Sequence, residues 1–161
     1  MNTPGRRNVL HNAIFQCLRN ITIFSELTTD ELNFMAEQMH VLKTVAGGII
    51  FKEDDEGDFV CFVVEGILSV MKITGGAEKT IAELTPGHSI GEMAVVGDFP
   101  RSATVRSKSD AILLTLKRDR LYQICEARPE IGVKIFRALA QLLSHHLRKT
   151  SETLFELMPP D

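Results

Sequence analysis

The sequence is poor in several things, and each shortage excludes a class. Charge of one sign is the first. Eighteen Lys and Arg stand against 21 Asp and Glu, for a formal net charge of −3, so the total favours neither nucleic acid nor an anionic membrane surface. Long apolar runs are the second. No stretch approaches the ~18 apolar residues of a membrane-spanning helix. The segment after Arg6 and Arg7 carries His11, Asn12 and Gln16, which break any secretory apolar region. Cysteine is the third: Cys17, Cys61 and Cys125 are odd in number, far apart and set among apolar residues. They read as buried, reduced thiols of a cytoplasmic protein rather than a disulfide, zinc or iron–sulfur set. Histidine is the fourth. The residues at 11, 40, 88, 145 and 146 form no His-x-His cluster in a strand, and His145 and His146 point apart on a helix. A small metal-dependent barrel enzyme of the cupin type needs such a cluster, so the expectation is no metal, no catalytic residue and no enzyme.

What remains is the composition of one soluble domain. The 161 residues are 44% apolar and 24% charged, and a chain of this length buries roughly two-thirds of its unfolded surface. Residues 1–8 read as a disordered tail, and residues 9–40 as a helical lead-in. Within that lead-in, Leu10, Ile14, Cys17, Leu18 and Ile21 make one apolar stripe at helical spacing. Thr28-Thr29-Asp30-Glu31 then opens a second helix as a capping box, with Thr28 as N-cap and Glu31 reaching back.

From residue 41 to 117 the period shortens. Strand-like runs at 41–45, 49–52, 59–64, 67–73, 80–84, 102–107 and 111–117 are separated by glycine, proline and aspartate turn signals. Seven or eight short strands at even spacing argue for a sandwich or barrel-like roll. Residues 118–158 return to helix: a short one from Arg118, then a long one that Pro129 starts as a first-turn residue. The long helix carries two stripes. Ile131, Ile135, Leu139 and Leu142 suit packing on the roll, and Phe136, Ala140, Leu143, Leu147, Thr150, Leu154 and Leu157 follow 4-3 spacing. One globular domain needs a single apolar stripe per helix, so the second predicts a parallel homodimer along this helix. The competing reading is a helix buried on two sides within one chain.

The stretch from Gly91 to Val105 is organised differently from the rest. A Gly-Glu step, Gly91-Glu92, leads a short helical turn through Met93 and Ala94, and a loop ends in Pro100-Arg101-Ser102-Ala103-Thr104-Val105. Free amides at a helix start beside an Arg fork make a site for a phosphate group. Glu92 would repel that phosphate, and a sugar hydroxyl, which donates to a carboxylate, is a fitting partner.

This pattern, G-E-[ML]-A-x-x-…-P-R-[SAT]-A-[TS]-V, resembles the phosphate-binding cassette of the cyclic-nucleotide-binding domain family, found in the sensor domain of bacterial catabolite activators and in kinase A regulatory subunits. The resemblance runs from about Leu18 to Leu157 and implies a mainly β fold with flanking helices. That fold is an eight-stranded antiparallel β-roll of the jelly-roll type, with N-terminal helices and a long C-terminal dimerisation helix. It implies that Glu92 holds the ribose 2′-hydroxyl and Arg101 the cyclic phosphate, with amides around Gly91, Met93, Ala94, Ser102 and Ala103 on the other phosphate oxygens. Two positions depart from the family: Asp54 stands where a glycine is usual, and Cys61 where an aromatic is common.

The run from His145 to Glu152 resembles the end of the catabolite activator's dimer helix, where a Thr-Ser pair contacts adenine from two chains. That assigns the role to Thr150 and Ser151. Ser102 after the cassette arginine goes with cyclic AMP, whereas a threonine there tends toward cyclic GMP. The expected ligand is therefore cyclic AMP, bound by a stand-alone cytoplasmic regulatory module with no DNA-binding domain and an unknown downstream protein. The alternatives are a cyclic GMP module and a β-roll that has lost its ligand and only dimerises.

Overall fold

The computed structural model describes residues 4–159, with side chains from residue 8 onward. Helix α1 (Pro4–Leu18) is followed by a 3₁₀ turn (Thr22–Phe24) and by α2 (Thr29–Gln38). Strands β1 (His40–Thr44), β2 (Ile49–Phe51), β3 (Phe59–Glu65), β4 (Leu68–Thr74), β5 (Ala77–Leu84) and β6 (Ser89–Ile90) come next. A one-turn helix α3 (Met93–Val96) precedes β7 (Thr104–Ser107) and β8 (Ala111–Lys117), and α4 (Arg118–Ala127) and α5 (Pro129–Leu157) complete the chain. The strands form two four-stranded sheets in the orders β1-β8-β3-β6 and β2-β7-β4-β5, with every pairing antiparallel. This is the expected eight-stranded β-roll with helices at both ends.

The central strands explain the unbroken apolar runs Val60-Cys61-Phe62-Val63 and Leu113-Leu114. Cys61, Val63 and Leu113 point between the two sheets, onto Phe51, Leu68, Val70, Ala103 and Val105. Val60, Phe62, Leu114 and Leu116 point the other way, into a larger core built with Leu18, Phe24, Leu32, Met35, Leu121, Ile131 and Ile135. A strand covered on both faces shows no polar alternation. The edge strand β5 is exposed along nearly its whole length, and half of its residues are polar.

The capping box at α2 is formed as the sequence predicts. Thr28 N–H donates to Glu31 Oε2 at 2.7 Å, and Glu31 N–H donates to Thr28 Oγ1 at 3.3 Å. Glu31 also accepts from Lys134 Nζ at 2.7 and 3.0 Å, which ties α2 to α5. The Lys134 hydrogen bond outweighs burial and holds the Glu31 carboxyl below its ordinary value.

Three local expectations change. Of the supposed tail, residues 1–3 lie outside the described residues, while residues 4–8 belong to α1: a first-turn proline does not interrupt a helix. The strand expected at 102–107 begins only at Thr104, because Arg101 pairs instead with the β2–β3 loop: its N–H donates to Asp55 O and its C=O accepts from Asp54 N, each at 2.9 Å. The eighth strand, β6, is two residues long, and so carries no period for a sequence to show.

Along α5, Ile131, Ile135 and Leu139 are buried, and Leu142 is half-buried. Beyond them the apolar side chains stand open among the described residues: Leu147 is 69% exposed, Leu154 62% and Leu157 77%. From Leu147 onward the second stripe is therefore not consumed by an intramolecular face among the described residues, whereas Phe136 at its start packs on the core. Among the described residues, no helix is long and apolar enough to cross a membrane.

Candidate functional site

Arg101 is the centre of the site. Its residue is only 3% exposed, and its guanidinium packs against two aromatic rings that meet nearly edge to face, 3.9 Å from the centroid of Phe51 and 4.5 Å from that of Phe59. Nη1 donates to Phe59 O at 2.9 Å, whereas Nε and Nη2 are buried with no hydrogen-bond partner. Burial lowers its pKa, and the nearby Cys61, Asp58 and Asp55 oppose that. An arginine nevertheless stays charged in proteins.

A buried cation with two idle donors is costly unless something anionic meets it. The free Nε–Nη2 edge is the fork that grips two oxygens of one phosphate or carboxylate.

The walls around the fork need glycine. Gly91 has φ +91°, in the left-handed region, and a Cβ there would stand 2.4 Å from Arg101 Nη1 and 3.0 Å from Phe59 O. A Cβ on Gly57 would come within 2.7 Å of Ala94 Cβ and 2.8 Å of Arg101 Nε. Asp54 also takes a left-handed φ, +66°, in the region that favours glycine.

Short helix α3 begins two residues after Gly91. The amides of Glu92 and Met93, and those of Ser102 and Ala103 across the loop, take part in none of the turn and loop hydrogen bonds of the described residues. Ala94, expected among the free amides, instead donates to Gly91 O at 3.2 Å, because the turn entering α3 is tight. Glu92 is 5% exposed and accepts from Ser89 Oγ through Oε1. One turn thus holds a buried carboxylate together with free amides, beside the fork. Such a group can take a ligand with an anion at one end and a hydroxyl donor close to it.

The structure brings Gly91, Glu92, Met93, Ala94, Arg101, Ser102 and Ala103 into one cluster, but it does not bring Thr150 and Ser151 to them. Both stand exposed on the distal half of α5, and the Thr150 hydroxyl donates to His146 O at 2.9 Å. The sequence reading missed Phe51, Phe59, Gly57 and Ser89. The lone glycine within the acidic run from Glu53 to Asp58, flanked by two aromatics, is the one signal that could have pointed there.

A surface cavity of about 590 Å³ opens elsewhere, beside Lys43, Thr44, Glu65 and Asp110, and shares no residue with this cluster. Cys61 lies beneath Arg101 and Glu92, and burial pushes its thiol up to about 12. Among the described residues, no group of three or more His, Cys, Asp or Glu side chains could hold a metal ion.

Comparison with known proteins bears on this geometry. Residues 42–128 match the profile of the cyclic nucleotide-binding domain. A cyclic nucleotide-gated potassium channel of Mesorhizobium japonicum is 33% identical over 126 residues, covering 78% of this chain and 34% of the channel. The cAMP-dependent protein kinase regulatory subunit of Dictyostelium discoideum is 35% identical over 102 residues, covering 63% of this chain and 31% of the subunit. The chain thus spans about a third of the length of these two relatives. Among solved structures, a cyclic nucleotide-binding domain from Methylobacillus flagellatus superposes with a TM-score of 0.81 at 26% identity, covering 94% of this chain and 85% of that one.

Proposed function

Because the chain belongs to the cyclic nucleotide-binding domain family, we propose that it binds cyclic AMP at Arg101 and Glu92 and works as a regulatory sensor in the cytoplasm, without chemistry of its own. The observation that carries this reading is the buried, clamped and unpaired fork of Arg101. A cyclic phosphate is an anion with two exposed oxygens, and it fits the Nε–Nη2 edge. The amides of Glu92, Met93, Ser102 and Ala103 take the remaining phosphate charge, and the Glu92 carboxylate accepts the ribose 2′-hydroxyl. The kinase regulatory subunit among the relatives, which is cAMP-dependent by name, supports the choice of nucleotide.

The dimer belongs to the same proposal. The exposed stripe through Leu147, Leu154 and Leu157 pairs with that of a second chain as a parallel coiled coil. In that dimer Thr150 of one chain and Ser151 of the other face the adenine. Their hydroxyls both donate and accept, which suits the adenine amino group and a ring nitrogen. Guanine presents a carbonyl where that amino group would be, and each buried unpaired group costs about 1–3 kcal/mol. Competition between cyclic AMP and cyclic GMP tests this. Wild type should prefer cyclic AMP by about tenfold or more, and Thr150→Val should erase most of the preference while keeping the dimer. Equal or tighter binding of cyclic GMP to wild type would refute the nucleotide assignment.

A further inference from the structure

One residue outside the cassette touches both walls of the anion site. Arg118 opens α4, and its backbone N–H donates to Asp58 O at 2.6 Å. Its side chain reaches the opposite way: Nη1 donates to Ala94 O at 3.2 Å, to Gly97 O at 3.4 Å and to Asp98 Oδ1 at 3.0 Å. Asp58 immediately precedes Phe59, whose ring and carbonyl hold Arg101. Ala94 lies within α3, and a Cβ on Gly57 would meet both Ala94 Cβ and Arg101 Nε, so α3 stands beside the fork. Arg118 therefore joins the segment that clamps the guanidinium to the helix that presents the donors.

The physics of that link is specific. A helix of four residues has no stability of its own. The carbonyls at its C-terminal end carry the negative pole, so a cation placed there stabilises the turn and fixes its axis. Asp98 adds little, since its side chain is 97% exposed and water screens the pair. The two carbonyl contacts carry the orientation.

We propose that Arg118 is a positioning residue for the anion site: it holds α3 with its free amides aimed at the fork of Arg101, so that phosphate affinity depends on where α4 sits. This rests on the nucleotide-binding reading above.

The test titrates cyclic AMP into wild type, Arg118→Ala, Arg118→Lys and Asp98→Ala, and follows amide hydrogen exchange of the unliganded proteins. Arg118→Ala should weaken binding about tenfold through loss of its carbonyl bonds. Arg118→Lys should recover part of this, because an ammonium lacks the planar fork. Asp98→Ala should stay within about twofold of wild type. In Arg118→Ala, exchange should quicken at Met93–Gly97 and stay unchanged in β3 and β8. Wild-type affinity in Arg118→Ala, or exchange that quickens equally in β3 and β8, would overturn the proposal. Should wild type itself not bind cyclic AMP, the proposed function falls, and exchange at α3 alone still decides the positioning role.

Discussion

Replacing Arg101 with methionine separates a ligand-binding cation from a structural one. In the unliganded protein the guanidinium is held by two opposing sets of effects. The two ring faces contribute about 0.5–2 kcal/mol each, and one charged hydrogen bond to Phe59 O contributes about 1.5–3 kcal/mol. Against these stand the unpaired Nε and Nη2, at about 1–3 kcal/mol each. The two sets are of similar size, so the arginine adds little net stability until an anion arrives. Methionine has comparable length, no charge, and a sulfur that itself favours aromatic edges by about 0.3–1.5 kcal/mol.

Calorimetry of the unliganded Arg101→Met protein should therefore find its stability within about 1.5 kcal/mol of wild type, a melting shift of no more than about 6 °C for a chain of this size. Added cyclic AMP should tell the two apart. At a hundredfold over its Kd, wild type gains ~2.7 kcal/mol, or about 5–10 °C, while Arg101→Met gains nothing measurable. Titration should place the loss of affinity at ~3–5 kcal/mol, two to four orders of magnitude in Kd. Two results would refute the reasoning. A loss of more than about 3 kcal/mol in the unliganded variant would make Arg101 a structural cation, beyond the range of an ordinary substitution at a balanced site. An undiminished ligand shift would remove it from the site.

Glu92→Gln should weaken cyclic AMP by less than the arginine change, and should weaken its 2′-deoxy analogue less still. Equal losses for the two ligands in titration would mean that Glu92 does not meet the ribose. Leu147→Glu sets like charges across the stripe that α5 leaves open, and should give monomers in sedimentation. A wild type that sediments as a monomer at high concentration would dispose of the seam. Glu31→Gln should flatten the acid limb of the stability curve. The Glu31 carboxyl is held below its ordinary value of 4.5 in the folded state, so its contribution is fully present above that value and is lost as pH falls through the folded one. Denaturant unfolding of both proteins from pH 6 to 3 should show the larger decline in wild type, and parallel curves would disprove the link.

Much of this protein is written in local sequence, because local physics decides it. The capping box of Thr28 and Glu31 depends on residues three apart, and Pro129 starts α5 through its own ring. The β3 and β8 runs are visible as apolar stretches flanked by turn residues; Gly91 and Arg101 stand out as residue types suited to an anion, and Glu92 as a carboxylate beside them that suits a hydroxyl donor. The reach of α5 past its last buried residues was likewise legible, since its second stripe at 4-3 spacing exceeds the single stripe one domain needs.

The tertiary structure decided everything that depends on residues distant in sequence meeting in space. Phe51 and Phe59 look like ordinary strand aromatics until the roll closes and sets Arg101 against both of them. Only the folded chain reveals that Nε and Nη2 lack partners, since satisfaction is a property of the whole surroundings rather than of the residue. The same holds for Gly57, whose missing Cβ matters through Ala94 and Arg101, and for Arg118, whose carbonyl partners lie more than twenty positions back in the chain. Strand β6 exists because β3 is there to pair with it: two residues have no period, and their hydrogen bonds come from a neighbour supplied by packing.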